Sequence, residues 1–494
     1  MALPRDARLR LLELLQNLGA GVADAHSHDP ATQRRTLYPI PEHLRAIEPE
    51  VVLVIGDRGA GKSHLKDVLK DVQLRKLLAR YVPRSRMANE VADWVEAWPL
   101  GKDGPESGTW REFVAAHRDH PQDISDLWLA FLVRRLDAHL VDVDKVSGLC
   151  GIRATRPEEI LATFRANRAD FVDALDTLDN QLEADHRWLI VSYDELDTVS
   201  LDWASLGAVV SGLVNLWVTF ARRWQRLRPK LFMRTDFYRH NRGVAGADVA
   251  KLAANRVELT WSNRNLYGVL IKHIVNRDDA LRQHFAAHVT LRDDPELGAL
   301  PILTSDEDAR PFIERLAHRY MGPNPKKGVT YSWMLDKLRD SNSRVVPRSL
   351  IQLVEKAAAE ATLDTRATGS RLLEHVALRR ALDVVSTDFV LGAARHEFPW
   401  IPSLMQRFEE DPQVPWTERE VSRMIGRNFD GDWGTIPGVN GPEPIRPPGR
   451  DVSEVLDNLV QLGILALRGD GTYNAPDLYL HGLGLKRKGG VARS

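Results

Sequence analysis

The first unbroken apolar run, residues 51–55 (VVLVI), stops at a glycine-rich octet. Beyond the octet, His64-Leu65-Lys66-Asp67-Val68-Leu69 resumes with apolar residues at helical spacing. A strand, a loop and a helix are predicted in that order. Residues 187–194 (RWLIVSYD) form a second run of buried-strand length that ends on acids. Residues 230–236 (KLFMRTD), introduced by Pro229, form a third, and residues 257–261 (VELTW) a fourth. Strands alternating with helices predict a parallel sheet with crossover connections, hence an α/β fold.

Elsewhere helical spacing dominates. Residues 8–18 predict a helix, and Tyr38-Pro39-Ile40-Pro41 and Pro49 punctuate the approach to the first strand. Tyr38 and Ile40 are candidates there for lining a ligand pocket or, equally, for anchoring a surface loop. From about residue 88 to 185 the pattern is amphipathic helix, broken at 99–105 and at Pro121. Trp94, Trp98, Trp110 and Trp128 in that stretch are expected in the core. Residues 265–391 read as helical. After them, Thr417-x-x-Glu420 is a capping box opening a short helix. Residues 429–450 are a Gly/Pro-rich loop, and residues 452–462 a helix stopped by Gly463. Residues 464–467 and Tyr473, around Asp470-Gly471, predict a hairpin. Helix, helix and two-stranded wing is a winged-helix order. The expected organisation is a core over 1–264 with a helical insertion at about 88–185, a helical lid over 265–395, a winged-helix-like domain over 396–485 and a basic tail over 486–494.

Composition narrows the class. At ~150 residues per domain, 494 residues suggest about three domains. The net charge of -1 provides no global field toward nucleic acid or membrane. A single cysteine, Cys150, excludes a disulfide within the chain and a cysteine zinc cluster, and suits a reducing cytoplasm. The N-terminus has no apolar run of the secretory kind. Residues 203–221 carry no charge and approach the ~20 residues of a membrane span. Ser205, Ser211, Asn215 and Thr219 interrupt the run, which also lies between two predicted strands of one sheet. It is expected to be a helix buried against that sheet, so no membrane partner is expected.

The octet Gly56-Asp57-Arg58-Gly59-Ala60-Gly61-Lys62-Ser63 is a complete G-x-x-x-x-G-K-[ST] phosphate loop. Between a strand and a helix N-terminus, its backbone N–H groups and the helix dipole converge on an anion, and its glycines let the backbone curl around it. Gly56 to Ser63 and His64 are the expected nucleotide-binding residues. Lys62 reaches the β/γ-phosphates, and the Ser63 hydroxyl serves Mg²⁺. Asp194-Glu195, closing an apolar strand, supply the second half. Asp194 would hold Mg²⁺ and Glu195 would orient water, while Asp197 either assists or caps the next helix. Arg234-Thr235-Asp236 lies where a polar side chain would meet the γ-phosphate or the lytic water. The alternative there is an ordinary Arg234–Asp236 ion pair. Arg256, just before a strand, is placed to act as an arginine finger on a neighbouring subunit, with Arg239 and Arg242 as rivals and a solvated arginine as the alternative. Arg348, after Pro347, would report nucleotide state to the lid.

Together these residues resemble AAA+/STAND-type P-loop ATPases. The GDRGAGKS loop, the FMRTD strand end and the C-terminal LGIL…PDLY segment more narrowly resemble a group of bacterial P-loop ATPases that accompany mobile elements or anti-phage systems. The resemblance spans about residues 36–485. It implies ATP and Mg²⁺ as ligands and a homo-oligomer with sites between subunits. The insertion at 88–185 is large for a simple core of this kind.

DNA is a weaker expectation. The second helix of the winged order carries Asp451, Glu454 and Asp457 and no Lys or Arg through Leu462, so its exposed face would repel phosphates. The basic alternatives are Arg222, Arg223, Arg226, Arg228 and Lys230 around Trp224, and Lys486-Arg487-Lys488. The expected function is an ATPase whose nucleotide state controls oligomerisation and engagement of a protein partner or DNA, in bacterial anti-phage defence. The alternatives are a DNA-loading ATPase of replication-initiator or transposition-regulator type, and a slowly hydrolysing signalling switch.

Overall fold

The computed structural model describes residues 3–19, 30–82, 84–88, 90–99, 105, 107–117, 119–140, 143–196, 199, 203–241, 255–363, 371–396, 398–427, 429, 433–438, 441–445 and 447–489. The chain forms two compact units, Pro39–Leu259, and Met1–Tyr38 with Thr260–Ser494.

The unit Pro39–Leu259 is built on five strands: β1 (Leu53–Gly56), β2 (Val91–Trp98), β3 (Arg187–Tyr193), β4 (Leu227–Arg234) and β5 (Arg256–Glu258). All pair in parallel in the order β2-β3-β4-β1-β5. The apolar runs of β1 and β3 follow from this, because a parallel sheet covered by helices buries both faces of its inner strands. β1 is buried along its whole length, and β3 at all but its first residue. β4 carries one charge into this core. Lys230 is fully buried and donates to Glu48 O at 2.9 Å and Val51 O at 3.0 Å, fixing the chain as it enters β1.

The stretch from 88 to 185, expected to be largely helical with breaks at 99–105 and Pro121, begins with β2, the sheet's edge strand. Its later helices form the crossover to β3. The helix Pro121–Arg135 lies against the helix Trp203–Phe220. Trp128 Nε1 donates to Val209 O at 2.8 Å and Ser125 Oγ to Gly212 O at 3.0 Å. A Cβ on Gly212 would lie 2.5 Å from Ile124 Cγ2, so this approach requires glycine. Trp98 meets Trp110 and Trp128 edge-on at 6.2 and 5.5 Å, and Trp128 meets Tyr193 at 5.9 Å. Among the described residues no helix is long and apolar enough to cross a membrane.

In the other unit, the helix Arg5–Leu15 packs on the helix Pro347–Leu363. Arg8 Nη2 donates to Leu372 O at 2.9 Å, and Gly19 N to Glu355 Oε1 at 2.6 Å. Residues 3–19 and 30–38, expected with the first unit, therefore belong to this one instead. An antiparallel ribbon, Leu291–Asp294 with Gly298–Pro301, interrupts a region expected to be helical. Thr417 and Glu420 form a capping box on the helix Glu418–Gly426. The helix Val452–Gln461 follows, and then the hairpin of Ala466–Leu467 and Tyr473–Asn474. The Gly/Pro-rich stretch between those two helices contains a second antiparallel pair, Thr435–Gly438 with Gly441–Pro444.

Candidate nucleotide site

β1 delivers the chain to the loop, and the helix Lys62–Lys70 leaves it. Gly59 (φ 81°) and Gly61 (φ 98°) occupy the left-handed region, which turns the backbone tightly enough for the helix to start at Lys62. The helix has no side-chain cap at Gly61. Its leading N–H groups have no intrahelical acceptor and point with the positive end of the helix dipole out of the loop, as an anion cradle requires. Ala60 N donates to Asp57 O at 3.1 Å, closing the turn beside the half-buried Asp57 and Arg58. Lys62 Nζ donates to Gly56 O at 2.8 Å and Asp57 O at 3.1 Å, so its ammonium sits over the loop. Desolvation pushes the His64 imidazole down to about 4, which keeps it neutral beside a site meant for an anion.

The acids stand two strands away. Asp194, just past β3, is 2% exposed, and its N–H donates to Trp98 O at 3.1 Å. Its Oδ1 accepts the Glu195 N–H at 2.9 Å. Its Oδ2 is buried with no hydrogen-bond partner among the described residues. The nearest cation is Lys66 Nζ at 3.7 Å, and the same ammonium lies 3.1 Å from Glu96 Oε1 on β2. Burial pushes the Lys66 ammonium down, but Asp194, Glu96 and Asp67 outweigh it and hold the lysine above its ordinary range. Lys66 is three residues past Ser63, so both lie on one face of the loop helix. That face is turned toward Asp194.

The residues present fit a Mg²⁺ ion. An orphaned buried carboxylate oxygen and a serine hydroxyl on the facing helix are hard oxygen donors. Mg²⁺ takes one or two carboxylates together with phosphates and water. Among the described residues no group of three or more His, Cys, Asp or Glu is gathered to hold a metal.

Glu195 is half-buried and has φ 53°. A residue with a Cβ adopts this left-handed conformation at a cost of about 1–3 kcal/mol. The Asp194 carboxylate, bonded to the Glu195 N–H, holds it there.

The end of β4 lies between these two halves. Arg234 is the register partner of Gly56. Its guanidinium grips Asp236 with two bonds, Nε to Oδ1 at 3.0 Å and Nη2 to Oδ2 at 2.5 Å. Burial pushes the Asp236 carboxyl up, but Arg234, the Phe237 N–H and the charge of Lys62 outweigh it and hold the group below its ordinary range. The two residues thus form a closed pair. Thr235 between them is 2% exposed, and its buried hydroxyl has no hydrogen-bond partner among the described residues. Sequence left the choice among the three open; geometry singles out the threonine as the group with an unmet hydrogen bond. The available signal was a hydroxyl at the end of the strand next to the phosphate loop.

Arg256 stands apart from the loop. Arg256 faces Leu53 in register, three residues before Gly56, or about 10 Å down the strand. Its guanidinium lies 5.7 Å over the Tyr238 ring. Arg239 is half-exposed, with Nη2 3.8 Å from Glu258 Oε1. Arg242 and Asp197 fall outside the described residues. Arg348 is exposed in the first turn of Pro347–Leu363, in the other unit. There too, Tyr38 packs on Gly268, where an added Cβ would lie 2.4 Å from the ring. Ile40 is 1% exposed in the first unit.

The basic run is engaged within its own unit. Arg223 binds Asp176 through two of its nitrogens, Nε to Oδ1 at 2.7 Å and Nη2 to Oδ2. Arg226 Nη1 donates to Glu90 Oε2 at 2.7 Å, and the guanidinium lies 4.5 Å over Trp188. Arg228 donates to Gln225 O and Ala221 O, both at 3.1 Å. Trp224 is 1% exposed and stacks on Phe220 at 4.2 Å, so it offers no platform for a base. Next to it, Arg222 adds only an exposed charge.

A strand, a glycine loop and a helix on a five-stranded parallel sheet make this an α/β P-loop fold. No protein-family model matches the chain, and no curated protein does. Among solved structures it is similar to the Walker-type ATPase PABY2304 of Pyrococcus abyssi, at 14% identity over 90% of this chain and 95% of that one, with a TM-score of 0.35. It is also similar to the Aeropyrum pernix ORC2 protein in its ADPNP–ADP complexes, at 13% identity over 87% and 86%, with a TM-score of 0.35. A third is the Aeropyrum pernix ORC1 protein in complex with DNA, at 14% identity over 97% and 92%, with a TM-score of 0.35.

Proposed function

We propose that this chain is a Mg²⁺-dependent ATPase of AAA+ character whose nucleotide state governs association with further copies of itself and with a protein partner. One observation carries the reading. The phosphate-loop helix and the acid ending β3 meet through Lys66 and Asp194 at 3.7 Å, with the end of β4 between their strands.

In this reading the loop N–H groups and Lys62 hold the β/γ-phosphates, and Ser63 and Asp194 hold Mg²⁺. When bound, the ion neutralises charge on the phosphate oxygens. Glu195 orients the attacking water and accepts its proton. The Thr235 hydroxyl donates to the γ-phosphate or to that water. The Arg234–Asp236 pair holds the strand end beneath it. Phosphoryl transfer asks little covalent chemistry of the protein, so positioning and charge supply the rate. Arg256, about 10 Å down the sheet from its own loop, acts on the site of a neighbouring copy.

ATP binding and turnover in Mg²⁺ and in EDTA, for the native chain and Lys62→Ala, test the reading. Turnover is expected only with Mg²⁺, and Lys62→Ala should lose ATP affinity. A native chain that binds no ATP would remove it.

A further inference from the structure

Lys66 belongs to no motif, yet it is the side chain that joins the two halves of the site. Its side chain is 10% exposed, and that of Asp194 only 3%. A carboxylate buried this deeply needs a counter-charge, and Lys66 Nζ at 3.7 Å supplies it. At that separation the contact is an ion pair and not a hydrogen bond, so Asp194 Oδ2 keeps its acceptor capacity. The ammonium leans the other way, to Glu96 Oε1 at 3.1 Å. Glu96 also accepts from Lys70 Nζ at 2.5 Å.

We infer that Lys66 is a resident cation that competes with a divalent metal for Asp194, and that Glu96 sets the strength of this competition by drawing the ammonium away. A metal at Oδ2 would meet the lysine charge at close range in a partly desolvated setting, where repulsion is poorly screened. Glu96 gives Lys66 a second partner within reach and so lowers that cost. The metal requirement would then depend on β2, a strand without any part of the phosphate-loop motif. This inference rests on the reading of Asp194 as the metal-holding acid.

The test is a Mg²⁺ titration of fluorescent ATP-analogue binding, read by anisotropy. Lys66→Met should lower the half-saturating Mg²⁺ about fivefold or more, the range of a coupling between two ligands of one acceptor. Glu96→Gln, which leaves Lys66 to Asp194 and to Asp67 at 3.8 Å, should raise it. Lys66→Arg should stay near the native value. Affinity in EDTA should be equal in all four proteins, since Lys66 does not touch the loop. Shifts of the same sign in Lys66→Met and Glu96→Gln, or no shift in either, would overturn the inference while native Mg²⁺-dependent binding persists. Should Lys66→Met fail to fold, the rise or its absence in Glu96→Gln decides. An Asp194→Asn protein with an unchanged Mg²⁺ requirement would instead overturn the underlying reading, and the inference with it.

Discussion

Lys66 Nζ lies 3.7 Å from Asp194 Oδ2, bridging the phosphate-loop helix and the strand two places away in the sheet. Because β4 separates β1 from β3, the site is a three-strand arrangement: loop on one side, acids on the other, and the Arg234–Asp236 turn between them. Lys66 reports that arrangement because a side chain of its length reaches Asp194 only when the helix face that also carries Ser63 points at β3.

The Thr235 hydroxyl is buried without a hydrogen-bond partner among the described residues, so removing it should cost the fold nothing. Thr235→Val should keep the melting temperature of the native chain while lowering kcat roughly tenfold or more, the scale of a lost group that positions the reacting atoms. Unchanged turnover would leave the strand end with a purely architectural role.

Gly61 tests the loop geometry from the backbone side. A Cβ there meets nothing within 4 Å, so the penalty of Gly61→Ala is conformational, set by φ 98°. A loss of about 1–2 kcal/mol in urea unfolding is expected, together with weakened ATP binding. An alanine variant as stable as the native chain would contradict the left-handed turn.

Lys230 makes stability depend on pH. Burial pushes its ammonium down from 10.5 to about 7 in the folded chain. Between those values the unfolded chain binds more protons, so raising the pH stabilises the fold; below about 7 both states carry the proton and the full cost of burying the charge remains. Relative to Lys230→Met, the native chain should therefore gain stability from pH 7 to 10, by at most about 1.4 kcal/mol per pH unit. Denaturant unfolding at several pH values reads the slope, and a flat difference would contradict the buried charge.

Arg226 sits between Glu90 and the face of Trp188. Arg226→Glu would set two carboxylates against each other at a half-buried position and should cost about 1–3 kcal/mol, visible as a lowered melting temperature. If the charge reversal left stability untouched and altered only DNA binding, the segment would be an exposed basic surface after all.

Much of the sheet was legible. β1 and β3 are apolar runs of strand length, the apolar end of β4 follows Lys230, and the phosphate loop is eight consecutive residues whose setting can be checked on either side. β2 was not legible, for a physical reason. Val91, Trp94, Val95 and Trp98 recur at i, i+3, i+4 and i+7, the spacing of a helix stripe. In the fold they form an edge strand whose Asp93 and Glu96 meet Arg187, Lys66 and Lys70 from other elements. The partners of the basic run were hidden in the same way. Asp176, Asp179 and Glu90 come from distant segments, and Asp179 accepts the N–H groups of Gln225, Arg226 and Leu227. Thr235 could not be told from Arg234 and Asp236, because an unmet hydrogen bond is a property of packing, and sequence does not record it.

The central claim is that a triphosphate is held between Lys62 and the acids at 194 and 195 and is cleaved there. Its most direct test is a single-turnover experiment on Glu195→Gln with ATP and Mg²⁺, followed by extraction and identification of the nucleotide that remains bound. One ATP per chain, unhydrolysed over times in which the native protein has converted it to ADP, is the predicted result. Cleavage at the native rate, or no retained nucleotide at all, would contradict it.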